Sequence, residues 1–289
     1  MPHATKAPKE KRSQLAIGGD RIIKNDGVLR KRILIGIPTL GVVRIEWDLA
    51  RRSLIIPINW SSGEIISNHM PESVVAQGYT TADAQNVCVE QCITQGFEWL
   101  LLYEDDVLPP SDAFIRFEEY MLAGDTPIIS GLYFSKAHPT WPLTFRGRGN
   151  GCFTNYQLGD KVWCDGVPTG FVFIHRSVLE WFWKNTAPYQ MPDGHKIPQI
   201  FEFPRKAWYD PEQDRYFAHM GTSDLYFCDR ILKESVLEKT GWTVLAKKKY
   251  PFLVDTNMFC RHIDIHGAIF PDNAERILTG GSNGNHHKH

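Results

Sequence analysis

Short apolar runs that alternate with helix-like segments predict an α/β fold. Residues 32–39 and 97–103 are continuous apolar runs, the pattern of strands that are buried on both faces. Between them, residues 80–95 carry apolar positions on one helical face and begin with threonines that can cap a helix. This order predicts a sheet flanked by helices.

The rest of the chain continues the alternation. Further helices are predicted over residues 111–122, 177–184 and 223–238, and further strands over 54–60, 127–134, 167–174, 243–246 and 259–265. Residues 188–218 contain five prolines among many aromatic residues, which predicts a long ordered or semi-ordered loop rather than regular structure. We find no internal repeat.

Composition excludes several classes of protein. The 289 residues are 43% hydrophobic and 22% charged, a balance typical of globular domains rather than of disordered or fibrous chains. No apolar run approaches the roughly 18 residues that span a bilayer, and the N-terminal segment lacks the apolar centre of a signal peptide. We therefore expect a cytoplasmic protein without a transmembrane segment.

Charge separates the N-terminal segment from the rest. Residues 1–32 hold nine Lys and Arg residues but three Asp and Glu residues, although the whole chain has a formal charge of −1. We expect a basic extension here. It is either a solvated tail or a contact for a phosphate-rich partner, such as nucleic acid, or for an anionic membrane surface.

Three acidic residues, Glu104, Asp105 and Asp106, directly follow the predicted strand over 97–103. The carboxyl ends of strands are where open α/β sheets bind ligands, and carboxylate oxygens suit hard divalent cations. Glu104 and Asp106 share one side of an extended segment. These features predict a metal site. The alternative is a solvated acidic loop whose negative charges interact favourably with the dipole at the N-terminus of the next helix.

A second group of possible ligands, His262, Asp264 and His266, alternates with apolar residues, so all three would share one face of a strand. One imidazole joined to two carboxylates favours Mn²⁺ or Mg²⁺, whereas all three together predict a zinc hydrolase. An amphipathic edge strand is the simpler alternative. His262 follows the more apolar residues and is expected to lie inside.

Two more segments carry candidate chemistry. Asp224 lies in the first turn of a predicted helix, where it either caps the helix or faces a cleft as a base. Residues 165–171 include Thr169 and Gly170 at the start of a predicted strand. Glycine there either forms a turn or lets a ligand approach the backbone closely.

The order of these segments resembles that of the GT-A glycosyltransferases, especially the family-2-like enzymes of bacteria and their phages, over residues 33–265. Residues 35–39 resemble the opening nucleotide-binding strand, and residues 101–106 resemble the DxD motif, with glutamate in its first acidic place. Residues 167–176 are similar to the strand near the donor sugar. Ser223 and Asp224 resemble the acidic pair that carries the base.

His262 resembles the late metal-binding histidine of that family. Two positions depart from the family pattern. Ser223 replaces the more usual acid, and residues 83–86 stand where relatives often have an arginine before an asparagine.

The resemblance implies a mixed, Rossmann-like GT-A sheet flanked by helices, with an antiparallel addition on the acceptor side. It implies one domain over residues 33–270, with a nucleotide-binding half near 33–135 and an acceptor half near 136–270, followed by a mobile tail over 271–289.

The implied activity moves a sugar from a nucleotide diphosphate sugar, with a UDP-sugar favoured, to a hydroxyl of a saccharide or another acceptor. Inversion at the anomeric carbon would use Asp224 as base. Asp106 and His262 would hold Mn²⁺ or Mg²⁺, and Glu104 would contact the ion through water or bind the ribose. Further contacts with the nucleotide sugar are implied for Pro38, Thr39, Asn59, Gln85, Asp105, Thr169 and Gly170.

Trp208 and Tyr209 would contact the acceptor, because sugar faces pack against aromatic rings. Three alternatives stay open at this point. One is a zinc hydrolase built on His262, Asp264 and His266. Another is a GT-A domain that binds nucleotide or glycan without catalysis. The third, within the transferase hypothesis, is a modified base in DNA as the acceptor, which the basic extension could help to bind.

Overall fold

The computed structural model describes residues 32–56, 72–147 and 151–272. Its strands are β1 (Ile33–Thr39), β2 (Glu72–Gln77), β3 (Trp99–Tyr103), β4 (Val107–Leu108), β5 (Ile128–Leu132), β6 (Lys161–Cys164), β7 (Phe171–His175), β8 (Pro188–Gln190), β9 (Lys196–Pro198), β10 (Arg205–Asp210), β11 (Arg215–Met220), β12 (Phe252–Phe259), β13 (Arg261–Ile263) and β14 (Ile269–Phe270). Its helices are α1 (Ile45–Arg52), α2 (Thr81–Gln95), α3 (Ala113–Ala123), α4 (Arg176–Asn185), α5 (Ser223–Lys233), α6 (Val236–Lys239) and α7 (Thr243–Ala246).

Seven strands form a mixed sheet in the order β2-β1-β3-β7-β5-β12-β6. β1 pairs in parallel with β2 and β3, and β12 pairs in parallel with β5, whereas β7 runs antiparallel between β3 and β5. One apolar cluster joins the sheet to α2, α4 and α5, and a second joins the other face to α1 and α3. The predicted mixed α/β class is therefore confirmed, and the arrangement is consistent with a Rossmann-like GT-A fold.

The central strands are apolar throughout because helices cover both faces of the sheet. Every residue of β1 and β3 is buried. Gly36 in β1 allows α2 to pack unusually close, since a Cβ added there would lie 2.7 Å from the Cβ of Cys88. Helix α2 begins as predicted, with the Thr80 hydroxyl accepting the Asp83 N–H.

Several predicted elements differ from the structure. Residues 243–246 form helix α7, which buries Leu245 in the core, so the predicted strand is wrong. The predicted helix over 223–238 is interrupted at Ser235, whose positive φ of 53° separates α5 from α6. β12 was not predicted, although it joins β5 to β6 in the sheet. The predicted strand over 54–60 is wrong at residues 54–56, which form no regular element, and residues 57–60 lie outside the described residues.

The predicted loop over 188–218 is also wrong, because this segment forms the β8–β9 and β10–β11 hairpins. The side chain of Asn86, which is buried in α2, anchors the chain between the two hairpins. Its amide donates to the Phe201 carbonyl at 2.8 Å, and its Oδ1 accepts the N–H groups of Ile200 and Phe201 at 3.1 and 2.8 Å. The Phe201 ring then packs 4.4 Å from Phe227.

The predicted basic extension and C-terminal tail lie almost entirely outside the described residues, which begin at Arg32 and end at Asp272. Within the described ranges, none of the helices has both the length and the apolar character that crossing a membrane requires. All six cysteines are free thiols.

We predict that Asn86→Ala lowers the free energy of unfolding by about 2 to 4 kcal/mol, because it leaves buried backbone groups without partners. Urea unfolding measures the change. Thr94→Ala, an exposed threonine on the same helix, is the matched control and should change stability by less than about 0.5 kcal/mol. Equal effects of the two substitutions would contradict the anchoring role of Asn86.

Candidate functional site

The carboxyl ends of β1 and β3 bring the acidic segment to one edge of the sheet. Glu104, Asp105 and Asp106 occupy the turn between β3 and β4. Thr39, the last residue of β1, donates a hydrogen bond from Oγ1 to Asp105 Oδ2 at 2.5 Å. β4 pairs with β13, which places His262 opposite Val107 and therefore beside the acidic turn.

His262 is buried and presents a ring nitrogen to Asp106, with 4.0 Å between His262 Nε2 and Asp106 Oδ1. The other ring nitrogen, Nδ1, bonds to the carbonyl oxygen of Phe134. Because a carbonyl only accepts, Nδ1 carries the proton, and Nε2 of the neutral ring keeps a free lone pair. Burial lowers the pKa of His262, which favours this neutral form.

The two oxygens of Asp106 have different surroundings. Oδ2 forms an ion pair with Lys136, whereas Oδ1 is buried and has no hydrogen-bond partner. Lys136 was not identified from the sequence. It follows β5 by four residues and lies at the same edge of the sheet. Its position just beyond the predicted strand over 127–134 is the feature of the sequence that could have placed it near the acidic turn.

Asp106 and His262 fit a hard divalent cation. Oxygen and imidazole donors suit Mn²⁺ and Mg²⁺. Asp106 Oδ1 and His262 Nε2 lie 4.0 Å apart, so a shift of about 1 Å would bring them to the roughly 3 Å that separates adjacent ligands of an octahedral ion with bonds of about 2.1 Å. A buried acceptor without a partner, such as Asp106 Oδ1, is the atom that an ion would satisfy. In the described part of the chain, no three His, Cys, Asp or Glu side chains are arranged as a metal site. Asp106 and His262 are therefore the two protein ligands that this edge of the sheet could supply.

Gln85 connects the acidic turn to the start of α5. Its Nε2 lies 2.8 Å from Thr169 Oγ1 and 3.5 Å from Glu104 Oε1, and its Oε1 accepts from Ser223 Oγ at 3.0 Å. Ser223 begins α5, so these contacts position Asp224 near the carboxylates. Gln85 thus joins Thr169 to Glu104, and Asp224 lies near enough for its charge to raise the pKa of Glu104.

The carboxylates lie in a poorly solvated, negatively charged environment. Burial is the main cause that raises the pKa of Glu104 to about 8, and the charges of Asp106 and Asp224 contribute to the same rise. Burial is also the main cause that raises the pKa values of Asp105 and Asp224. A bound cation would reverse this effect, because it stabilises the ionised carboxylates.

Close packing explains why residue 170 is glycine. Its N–H donates to the Tyr133 hydroxyl at 2.6 Å, and an added Cβ would lie 2.7 Å from that hydroxyl and 2.9 Å from Val107 Cγ2. Close packing therefore requires glycine here, and contact with a ligand stays a prediction. Pro38 is buried in β1, one residue before Thr39. Asn59 lies outside the described residues.

The structure does not bring His262, Asp264 and His266 together. β13 ends at Ile263, and Asp264 Oδ1 accepts the N–H groups of His266 and Ala268 at 2.8 Å each. These backbone bonds lower the pKa of Asp264 and fix a turn in which His266 is exposed. The expectation that all three share one strand face is wrong. The zinc hydrolase hypothesis, which depended on that shared face, loses its basis.

Trp208 and Tyr209 lie on the β10–β11 hairpin, where 44% and 46% of their surfaces are exposed. The hairpin closes where the Gly221 N–H donates to the Pro204 carbonyl at 2.9 Å, directly before α5. Tyr209 donates from its hydroxyl to Asp214 Oδ1 at 2.5 Å. Both aromatic side chains are therefore accessible on a segment that leads to Asp224.

Comparisons with known proteins give structural likenesses only. No protein-family model matches the chain, and no curated protein matches its sequence. The crystal structure of A197 from STIV superposes with a TM-score of 0.49 at 15% identity, covering 84% of this chain and 91% of that one. A glycosyltransferase involved in the glycosylation of the major capsid of PBCV-1 superposes with a TM-score of 0.29 at 14% identity, covering 56% and 71%.

We predict that Glu104→Gln stabilises the metal-free protein at pH 8.5 but not at pH 4.5. The folded protein retains the Glu104 proton up to about pH 8, whereas an unfolded chain loses it near pH 4.5. The free energy of unfolding therefore falls as pH rises through that window, and glutamine, which stays neutral, avoids the loss.

Urea unfolding with a chelator present measures both proteins at both pH values. Glu119→Gln, on an exposed part of α3, is the control. An equal stability difference between Glu104→Gln and the wild type at the two pH values would contradict a partly buried Glu104 that stays neutral in the folded protein.

Proposed function

We propose that the chain is a metal-dependent glycosyltransferase that moves a sugar from a nucleotide diphosphate sugar to an acceptor hydroxyl. One observation carries the proposal. The buried, unpartnered Oδ1 of Asp106 faces the unprotonated Nε2 of His262 at 4.0 Å, at the carboxyl edge of parallel strands where α/β folds bind nucleotides.

Asp106 and His262 would hold Mn²⁺ or Mg²⁺. The bound ion would neutralise the charge that develops on the diphosphate leaving group. With two protein ligands, the remaining positions are available to water and to diphosphate oxygens, which is how proteins commonly hold Mg²⁺ beside substrate phosphates. Glu104 would contact the ion through water or bind the ribose.

The donor pocket would extend from this point along the ends of β1 and α2. Asp105 is oriented by the Thr39 hydroxyl, and Gln85 is oriented by Ser223. Thr39, Gln85 and Asp105 would contact the ribose and the base, together with Pro38 and Asn59. Thr169 and Gly170 would lie near the donor sugar. We favour a UDP-sugar as the donor.

Asp224 would act as the general base. Its carboxylate would accept the proton of the acceptor hydroxyl as that oxygen bonds to the anomeric carbon and the bond from this carbon to the diphosphate oxygen breaks. In-line attack of this kind inverts the anomeric centre. Burial raises the pKa of Asp224, which makes its carboxylate a stronger base than an exposed aspartate.

The exposed rings of Trp208 and Tyr209, which as consecutive strand residues face opposite sides of the hairpin, would contact the acceptor, since sugar faces pack against aromatic rings. A saccharide suits these rings. A base in DNA is the alternative acceptor, and binding that weakens steeply with added salt would favour it.

We predict that Asp106→Asn abolishes the stabilisation of the protein by UDP or GDP in the presence of Mn²⁺, together with turnover of the sugar donor. The substitution removes one of two protein ligands but leaves the fold intact, because the Asp106–Lys136 pair is partly exposed and worth about 1 kcal/mol or less. Thermal unfolding with each nucleotide, with and without Mn²⁺, measures the binding.

Asp229→Asn is the matched control, since Asp229 also pairs with a lysine, Lys233, at 2.7 Å, with 19% of its side chain exposed, and is not part of the acidic turn. It should behave as the wild type does. Metal-dependent nucleotide binding or turnover that persists in Asp106→Asn would overturn the assignment of Asp106 as a ligand.

We predict that Asp224→Asn lowers kcat at least about 100-fold while the Kd for nucleotide and Mn²⁺ changes less than about threefold, because a base acts on the acceptor rather than on the donor. Rates of sugar transfer and calorimetric titration with nucleotide separate the two effects. Asp229→Asn again serves as control. A wild-type protein that binds nucleotide but neither transfers nor hydrolyses the sugar would instead favour a non-catalytic binding domain.

A further inference from the structure

Lys136 introduces a positive charge into the acidic cluster, and the mechanism proposed above gives it no role. Its ammonium group pairs with Asp106 Oδ2, and about a third of its side chain is exposed. Two residues earlier, the Phe134 carbonyl accepts the hydrogen bond from His262 Nδ1. One short segment after β5 therefore contacts both residues that would bind the metal.

The backbone of this segment is held in place. Ser135 donates its N–H to the Trp141 carbonyl at 2.8 Å, and its hydroxyl accepts the Trp141 N–H at 3.0 Å. Phe134 also forms a β-bridge with Pro142. The four-carbon stem of Lys136 can therefore change direction while its backbone stays in position.

Lys136 and a divalent cation would compete for one carboxylate. Oδ2 of Asp106 is already paired with the ammonium group, and Oδ1 alone faces His262. An ammonium and a dication a few ångströms apart repel each other, so each weakens the binding of the other while no anion lies between them. A diphosphate supplies that anion, because its oxygens can bind the metal and the lysine together.

We propose that Lys136 is a placeholder cation. It neutralises Asp106 while no donor is bound, and it turns to the diphosphate when the metal and the nucleotide sugar enter. This inference rests on the proposed function, since it takes Asp106 and His262 as the metal ligands. It assigns to Lys136 a donor-binding role and makes metal binding depend on the nucleotide.

The proposal predicts opposite changes in two binding constants for Lys136→Met. Binding of Mn²⁺ alone should tighten about tenfold, because the competing charge is gone. Binding of the nucleotide in the presence of saturating Mn²⁺ should weaken about 10- to 100-fold, because a charged hydrogen bond to phosphate is lost. Electron paramagnetic resonance measures free Mn²⁺ in the first titration, and calorimetry measures UDP and GDP binding in the second.

Two variants serve as controls. Lys233→Met removes the exposed lysine that pairs with Asp229 and should change neither constant. Lys136→Arg keeps the positive charge and should hold the nucleotide within about threefold of the wild type. A purely structural role for Lys136 would shift both constants in the same direction or neither.

The outcomes separate the two proposals. If the wild type binds Mn²⁺ with UDP or GDP and Lys136→Met shows both constants unchanged, or both weakened, the role of Lys136 is overturned and the proposed function stands. If the wild type binds no Mn²⁺ with either nucleotide, the proposed function fails, and the role of Lys136 fails with it.

Discussion

Negative charge is concentrated at the buried end of one strand, and the rest of the site responds to that constraint. β3 is apolar and fully buried, so the acidic turn that follows it begins in a poorly solvated place. The pKa of Glu104 rises to about 8 there because burial and neighbouring carboxylates oppose its ionisation. A cluster of this kind requires protons, cations or hydrogen-bond donors, and the fold provides all three.

The strands bring those partners from distant parts of the chain. β1 ends at Thr39, which donates to Asp105. β5 leads into Phe134 and Lys136, and β12 leads into β13 and His262. β1, β3, β5 and β12 share one direction in the sheet, so their ends meet at the acidic turn. The parallel part of the topology is therefore what assembles the site.

The sequence predicts the parts of this arrangement that depend on local pattern. Continuous apolar runs identified β1 and β3, and threonine capping identified α2, because these signals act over a few residues. The proline-rich hairpins and β12 were missed, since strand pairing with distant partners overrode local preference. Lys136 was also missed, because its importance depends on a contact with Asp106, which is distant in sequence, and only the folded chain creates that contact.

The alternation of His262, Asp264 and His266 shows the limit of periodicity as evidence. The pattern fits a strand, but Asp264 bonds to the backbone of its own turn and ends β13. His262 alone turns inward, where the Phe134 carbonyl fixes its tautomer. The site therefore depends on one histidine and one aspartate rather than on a linear motif of three.

We propose that His262 and Asp106 bind one divalent cation together with the diphosphate. Pulsed electron paramagnetic resonance of Mn²⁺ in the complex with protein and UDP or GDP tests it most directly, because it detects nitrogen bound to the metal. We expect a histidine nitrogen coupling in the wild type that disappears in His262→Gln. No such coupling in the wild type, or the same coupling in His262→Gln, would contradict it.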